Sequence, residues 1–123
     1  METRASGRYI PISARKVMRV LDLVRGQGVE AAFDRLRLNR SRPARAVEKV
    51  LRAAVAAAAE QHDVDAEELV VAQAWVEVGP QRKWRLPRAR GMWTPIIHRT
   101  SHIHIVVSDE ASQPTTESAD KAE

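Results

Sequence analysis

Val17, Val20, Leu21 and Val24 recur at i, i+3, i+4 and i+7 behind Ser13, and Gly26 follows directly after Arg25. Cap residue, apolar stripe and glycine stop together predict a helix. Arg15 and Arg19 fall opposite that stripe, with Lys16 and Arg25 on its flanks, so the helix is expected to bury valines and show cations. Val29, Ala32, Phe33 and Leu36 repeat the spacing in a shorter segment opened by Gly28 and closed before Asn39-Arg40-Ser41. Pro43 suits the first turn of a third helix, whose inner face is Val47, Val50, Leu51, Ala54 and Ala58 and whose outer face carries Arg45, Lys49 and Arg52. Its nearly all-alanine end, Ala53 to Ala59, favours helix and offers little bulk.

Beyond His62 the period changes from helical to alternating. Leu69 to Val78 reads as a strand with Val70, Ala72, Ala74, Val76 and Val78 on one face and Gln73, Trp75 and Glu77 on the other. Ile96 to Val107 reads as a second, with Ile103, Ile105 and Val107 alternating against His98, Thr100, His102 and His104. The segment joining them is far longer than the roughly two to five residues of a short hairpin. Arg8 to Ile12 is expected to add a third strand, confined by Pro11 to an edge. From Asp109 the chain turns to Ser, Thr, Gln, Pro, Ala and acids, so residues 110–123 are expected to be a disordered acidic tail. Residues 1–109 remain as a single domain.

Composition narrows the function. The chain has 123 residues, 44% hydrophobic but only 4% aromatic, which suits one modest core and excludes a large enzyme with a deep aromatic pocket. The absence of cysteine removes disulfides, iron–sulfur clusters and thiolate zinc sites. The N-terminus lacks the apolar stretch of a secretory signal, and Ala53 to Ala59 falls well short of the roughly 20 apolar residues of a membrane span. A cytoplasmic protein without membrane association is expected.

Charge is the informative quantity. Residues 1–77 hold 13 basic and 11 acidic side chains, residues 78–108 six basic and none acidic, and residues 109–123 one basic and five acidic. About thirty residues without a carboxylate do not make an ordinary solvated face, and point to a polyanionic partner. Within that stretch Trp84, Leu86, Met92 and Trp93 interleave with Arg82, Lys83, Arg85, Arg88 and Arg90. Guanidinium groups beside flat apolar side chains suit single-stranded or irregular RNA, where cations meet phosphates and indoles stack on bases. If the flanking strands continue into this segment, each arm gains about eight residues and the tip stands roughly 25 Å beyond the sheet at ~3.3 Å per residue. Such a ribbon is marginal in water and needs a partner.

Several motifs in order carry a resemblance: Ser13-Ala14-Arg15-Lys16-Val17 and Leu23-Val24-Arg25-Gly26, then Gly79-Pro80, Pro87-Arg88-Ala89-Arg90-Gly91, and Arg99-Thr100-Ser101-His102-Ile103. Over residues 1 to about 109 the chain resembles the bacterial large-subunit ribosomal protein twenty-two family. The resemblance implies an α+β fold of three helices packed on a small antiparallel sheet, with a long protruding β-hairpin, here 79–97, that enters the wall of the nascent-peptide exit tunnel. It implies as partners the large-subunit rRNA, neighbouring large-subunit proteins and the nascent polypeptide, with a part in subunit assembly. No cofactor, metal or homo-oligomer is implied. Together with the charge pattern it implies rRNA contacts from Arg8, Ser13, Arg15, Lys16, Arg19 and Arg25, from Arg82, Lys83, Arg85, Arg88 and Arg90, and from Arg99, Thr100, Ser101 and His102. The tunnel-lining tip would comprise Trp84, Pro87, Arg88, Ala89, Arg90, Gly91, Met92 and Trp93. Where the family commonly has Asn this chain has Ala57, and Trp84, Met92 and His98 replace residues that are commonly basic, giving a bulkier and less charged tip.

Two other classes are weighed against this one. His98, His102 and His104 share one strand face, as ligands of a metal enzyme would, but the nearest preceding acid is Glu77 and the surrounding cations repel a divalent ion. Arg40-Ser41-Arg42-Pro43-Ala44-Arg45 opens a helix that could enter a DNA groove, yet duplex DNA has no use for Trp84 and Trp93 on a ribbon. No nucleophile with an adjacent base stands out, so no catalytic residue is assigned.

Overall fold

The computed structural model describes residues 1–109. The expected acidic tail, residues 110–123, lies outside the described residues. In chain order the elements are β1 (Glu2–Ile10), α1 (Ala14–Val24), α2 (Val29–Leu38), α3 (Arg42–His62), a 3-10 turn (Ala66–Glu68), β2 (Leu69–Val78), β3 (Arg82–Pro87), a second 3-10 turn (Ala89–Gly91), β4 (Trp93–His98) and β5 (Ser101–Asp109). The fold is α+β. β1, β5 and β2 form an antiparallel sheet with β5 in the centre, and β3 and β4 form a separate two-stranded hairpin.

The helices follow their stripes. Val17, Leu21 and Val24 of α1, Val29, Ala32 and Leu36 of α2, and Val47, Leu51, Ala54 and Ala58 of α3 are all buried. They meet Leu69, Val71, Ala74, Ile103, Ile105 and Val107 of the sheet in one apolar cluster. α1 ends at a left-handed Gly26 (φ +78°), the stop its position predicted. Ser13 stands at the N-cap, but its side chain makes no capping bond. Arginine side chains also close the ends of α1 and α2. Arg35 donates to the Leu23 carbonyl at 3.1 Å, and Arg45 donates to the carbonyls of Leu36 and Asn39. These carbonyls are among those a helix end leaves unpartnered, and the cations also suit its negative pole.

Three strand expectations are corrected. First, β2 does not keep one face. Val71 pairs with Val107 and Gln73 with Val106, so Ala72 is an extra residue, and the inward set passes from Leu69 and Val71 to Ala74. A bulge of this kind reverses the parity that simple alternation assumes. Val78, which simple alternation puts on one face with Ala74, is 71% exposed while Ala74 is buried. Second, the expected strand 96–107 is two strands, because Arg99 and Thr100 interrupt the ladder between β4 and β5. Third, β1 is an edge strand as expected but begins at Glu2 and stops before Pro11.

Gly7 sets how closely β1 lies on α3. A Cβ there would stand 2.7 Å from Val50 Cγ2 and 3.0 Å from Ile10 Cδ1. Val50 is β-branched and stiff, so Gly7→Ala is expected to lower stability by about 1–3 kcal/mol through overpacking. Chemical denaturation of the isolated protein checks this, and unaltered stability would show that β1 can lift from α3 without cost.

Candidate nucleic-acid interface

β3 and β4 pair in register from Arg82 opposite His98 to Pro87 opposite Trp93. Every residue of β3 is exposed, and in β4 only Thr94 is partly covered. The arms are six residues long rather than about eight, which gives a ribbon of roughly 20 Å at ~3.3 Å per residue. Arg90 (φ +61°) and Gly91 (φ +70°) are both left-handed and reverse the chain, and the Arg88 amide donates to the Met92 carbonyl at 2.8 Å. Trp84, Met92 and Trp93 are 56%, 67% and 52% exposed. The Arg85 guanidinium lies 4.7 Å from the Trp93 ring, and Trp84 meets His98 edge-on. Rings and cations therefore stand side by side along one ribbon without a core to hide them.

The hairpin is fixed at its base rather than by a continuous ladder. The Gly79 amide donates to the Thr100 carbonyl at 2.9 Å, and the Thr100 hydroxyl donates to the Pro80 carbonyl at 2.6 Å. A Cβ on Gly79 would meet Thr100 Oγ1 at 2.5 Å. Gly79→Ala is expected to displace that hydroxyl and remove about 0.5–1.5 kcal/mol of hairpin anchoring while the core stays folded. Limited proteolysis reads it as faster cleavage within 79–100 at unchanged thermal unfolding of the body; unchanged cleavage would show that Thr100 does not hold the base.

Between hairpin and body lies an open cleft of about 980 Å³. α1 and α3 both begin at it, through Ser13 and Lys16 on one side and Arg42 and Pro43 on the other. The hairpin side brings Arg82, Trp84 and Arg99, and β1 brings Tyr9. Among the described residues, no carboxylate lines this cleft. The positive ends of two helix dipoles thus coincide with four cationic side chains.

The site residues expected from sequence separate into two groups. Arg8, Arg15, Lys16, Arg19, Arg82, Lys83, Arg85, Arg88, Arg90 and Arg99 are exposed, and Ser13 is partly so. Arg25 also reaches the surface, but its Nε and Nη2 donate to the Ala74 carbonyl at 3.0 and 2.9 Å while Nη1 pairs with Asp22, so it ties α1 to β2. Thr100 is committed to Pro80, and Ser101 is fully buried in the sheet. Tyr9 and Arg42, absent from the expected set, line the cleft. Only the run of cations around Pro43 hinted at Arg42, and nothing in the alternation of β1 marks Tyr9.

The histidine row does not stay together. His98 sits on the hairpin, whereas His102 and His104 belong to the central strand. The Tyr9 amide donates to His102 Nδ1 at 3.0 Å. His104 Nδ1 receives Arg4 Nη2 at 3.1 Å and lies 2.8 Å from Ser6 Oγ. Because a guanidinium only donates, that nitrogen accepts, which leaves the proton on Nε2, 3.5 Å from Glu77 Oε1. The Trp75 indole N–H, 3.2 Å from Glu77, holds that carboxyl below its usual range, and the nearby Arg4 charge acts in the same direction. His104 stacks on Trp75 under the Arg4 guanidinium. Among the described residues, no group of three or more His, Cys, Asp or Glu is placed to hold a metal ion, and no helix is long and apolar enough to cross a membrane.

Comparison with known proteins finds relatives that match this chain over most of its length. The family model described as ribosomal protein L22p/L17e matches residues 5–108. The large ribosomal subunit protein uL22 of Desulforamulus reducens is 46% identical over 110 residues, covering 89% of this chain and 97% of that protein. Its namesake in Carboxydothermus hydrogenoformans is 47% identical over 109 residues, 89% of this chain and 96% of the relative. That of Thermus thermophilus is 44% identical over 110 residues, again 89% and 97%. The matched span takes in all three helices, all but the outermost residues of the three-stranded sheet and the entire exposed hairpin, and on that breadth the chain belongs to the ribosomal protein L22p/L17e family.

Proposed function

We propose that this chain is a structural constituent of the large ribosomal subunit and not an enzyme. Residues 1–109 act as one rRNA-binding domain that supports assembly of the subunit in the cytoplasm, and the β3–β4 hairpin lines the nascent-peptide exit tunnel. The observation that carries the reading is the hairpin itself: a ribbon with five cations from Arg82 to Arg90 and two half-exposed tryptophans, which gains nothing by standing in water. RNA supplies phosphates for the cations and π-faces for the rings. Neighbouring subunit proteins and the nascent chain complete the set of partners. The rival helical DNA-binding reading is weakened because Arg45 is spent on the end of α2.

The test is sedimentation of a tagged full chain expressed in a bacterium. It is expected to travel with the large subunit through a gradient, and a photocrosslinker at Arg88 is expected to capture nascent chains. A chain that stays at the top of the gradient, apart from intact large subunits, overturns the proposal.

A further inference from the structure

Charge is divided between the two ends of the three-stranded sheet. Leu69 pairs with Asp109 at one end, and Val78 pairs with Ser101 at the other. The segment leading into Leu69 carries Glu60, Asp63, Asp65, Glu67 and Glu68, all exposed, and no Lys or Arg occurs between Arg52 and Arg82. Arg99 and Thr100, which precede Ser101, border the cleft that also holds Lys16, Arg42 and Arg82. Among the described residues none of these four cations is in an ion pair, whereas Arg25, Arg37, Arg45 and Arg52 each have a carboxylate within 4.0 Å. The acids of the body are thus already matched with other cations or stand at the far end.

Residues 110–123 follow Asp109 at the acidic end and carry Glu110, Glu117, Asp120 and Glu123 against Lys121. Like charge opposes their contact with the segment they leave, and the unpaired cations of the cleft attract them. Reach decides which acids can arrive. From Asp109 to Ser101 β5 spans about 26 Å at ~3.3 Å per residue. An extended chain covers at most ~3.3–3.6 Å per residue, so Glu117 just attains the cleft, Asp120 and Glu123 attain it with slack, and Glu110 falls short.

We propose that Glu117, Asp120 and Glu123 fold back onto Lys16, Arg42, Arg82 and Arg99 in the free protein, so that the chain masks its own cleft until rRNA displaces them. Naming rRNA as the competitor rests on the ribosomal reading; the contact itself does not. The described lining has no carboxylate of its own, and the positive ends of α1 and α3 at the cleft favour acids further. Tethering holds the acids near millimolar effective concentration, about what a weak contact needs. Exposed pairs are individually weak and yield to a denser line of phosphates, so the mask opposes stray polyanions more than a partner that also engages the hairpin.

The test uses the full chain. It has no cysteine, so Ser118→Cys can carry a nitroxide label. At low salt the label is expected to broaden the amide NMR signals of Lys16, Arg42, Arg82 and Arg99 more than those of Glu67 and Glu68, although the latter lie nearer the point where the segment departs. At about 1 M salt, with a Debye length of about 3 Å, the difference should vanish. Neutralising the three acids (Glu117→Gln, Asp120→Asn, Glu123→Gln) should abolish it too, and should strengthen binding of poly(U) at low salt about 3- to 30-fold, the range of three exposed ion pairs. In a background that carries Lys16→Gln and Arg42→Gln most of that gain should be lost, because acids and cations then no longer couple. A segment acting only through net charge would give the same gain in both backgrounds. Equal gains, or cleft signals no broader than those of Glu67 and Glu68, overturn the mask and leave the ribosomal reading to the sedimentation test. Broadened cleft signals with unequal gains, in a chain that does not travel with the large subunit, uphold the mask and remove rRNA as its competitor.

Discussion

Affinity of this chain for large-subunit rRNA is expected to fall about 10³- to 10⁵-fold between roughly 50 and 200 mM salt, the loss that accompanies about six to ten phosphate contacts. Arg15, Lys16 and Arg19 lie on the solvent side of α1, and among the described residues none of them is in an ion pair. Changing all three to Gln is expected to reduce the logarithmic salt slope by about two to three, since each lost contact removes about 0.7 to 0.9. Filter binding across a salt series measures it. Arg25→Gln provides the contrast. Its guanidinium holds the Ala74 carbonyl and Asp22, so its loss should appear as lower thermal stability with little change in slope. An unchanged slope in the triple variant would show that α1 does not face RNA, whatever the hairpin does.

That contrast also marks what a sequence can and cannot disclose. Lys16 and Arg25 both flank the α1 stripe, and their spacing gives no hint that one closes a carbonyl while the other borders an open cleft. The helices were legible because burial of one face at i, i+3, i+4 and i+7 leaves a regular trace: Val17, Val20, Leu21 and Val24 are all at most 3% exposed. The central strand was legible too, through Ile103, Ile105 and Val107. β2 was legible in extent but not in orientation. One inserted residue at Ala72 moves the inward face from odd to even positions, and no residue type there announces it. Tyr9 was invisible for the same reason, because a bulge depends on how two strands meet and not on either strand alone. The hairpin is the opposite case. Its lack of carboxylates and its stranded tryptophans mark it as built for a partner, and its exposure along the whole length agrees.

Deleting Trp84 to Trp93 and joining the arms by a short turn is expected to leave the body folded and still incorporated in the subunit. The apolar core draws on α1, α2, α3, β1, β2 and β5, and contains no residue between 79 and 100. What should change is the tunnel. Removal of Trp84, Met92 and Trp93, each more than half exposed, is expected to widen the constriction, and nascent chains that stall by touching that wall should stall less. Gly91→Val separates shape from bulk. No atom lies within 4 Å of the added Cβ, so crowding is not the difficulty; the φ of +70° is, at a cost of about 1–2 kcal/mol for a side chain in the left-handed region. That variant should redirect the tip while the thermal stability of the body is unaltered. Cryo-electron microscopy of ribosomes carrying each variant tests the division of labour. Subunits that lack the shortened protein would show that the tip is needed for anchoring, and a shortened protein in place with the tunnel width unaltered would show that the hairpin does not line it.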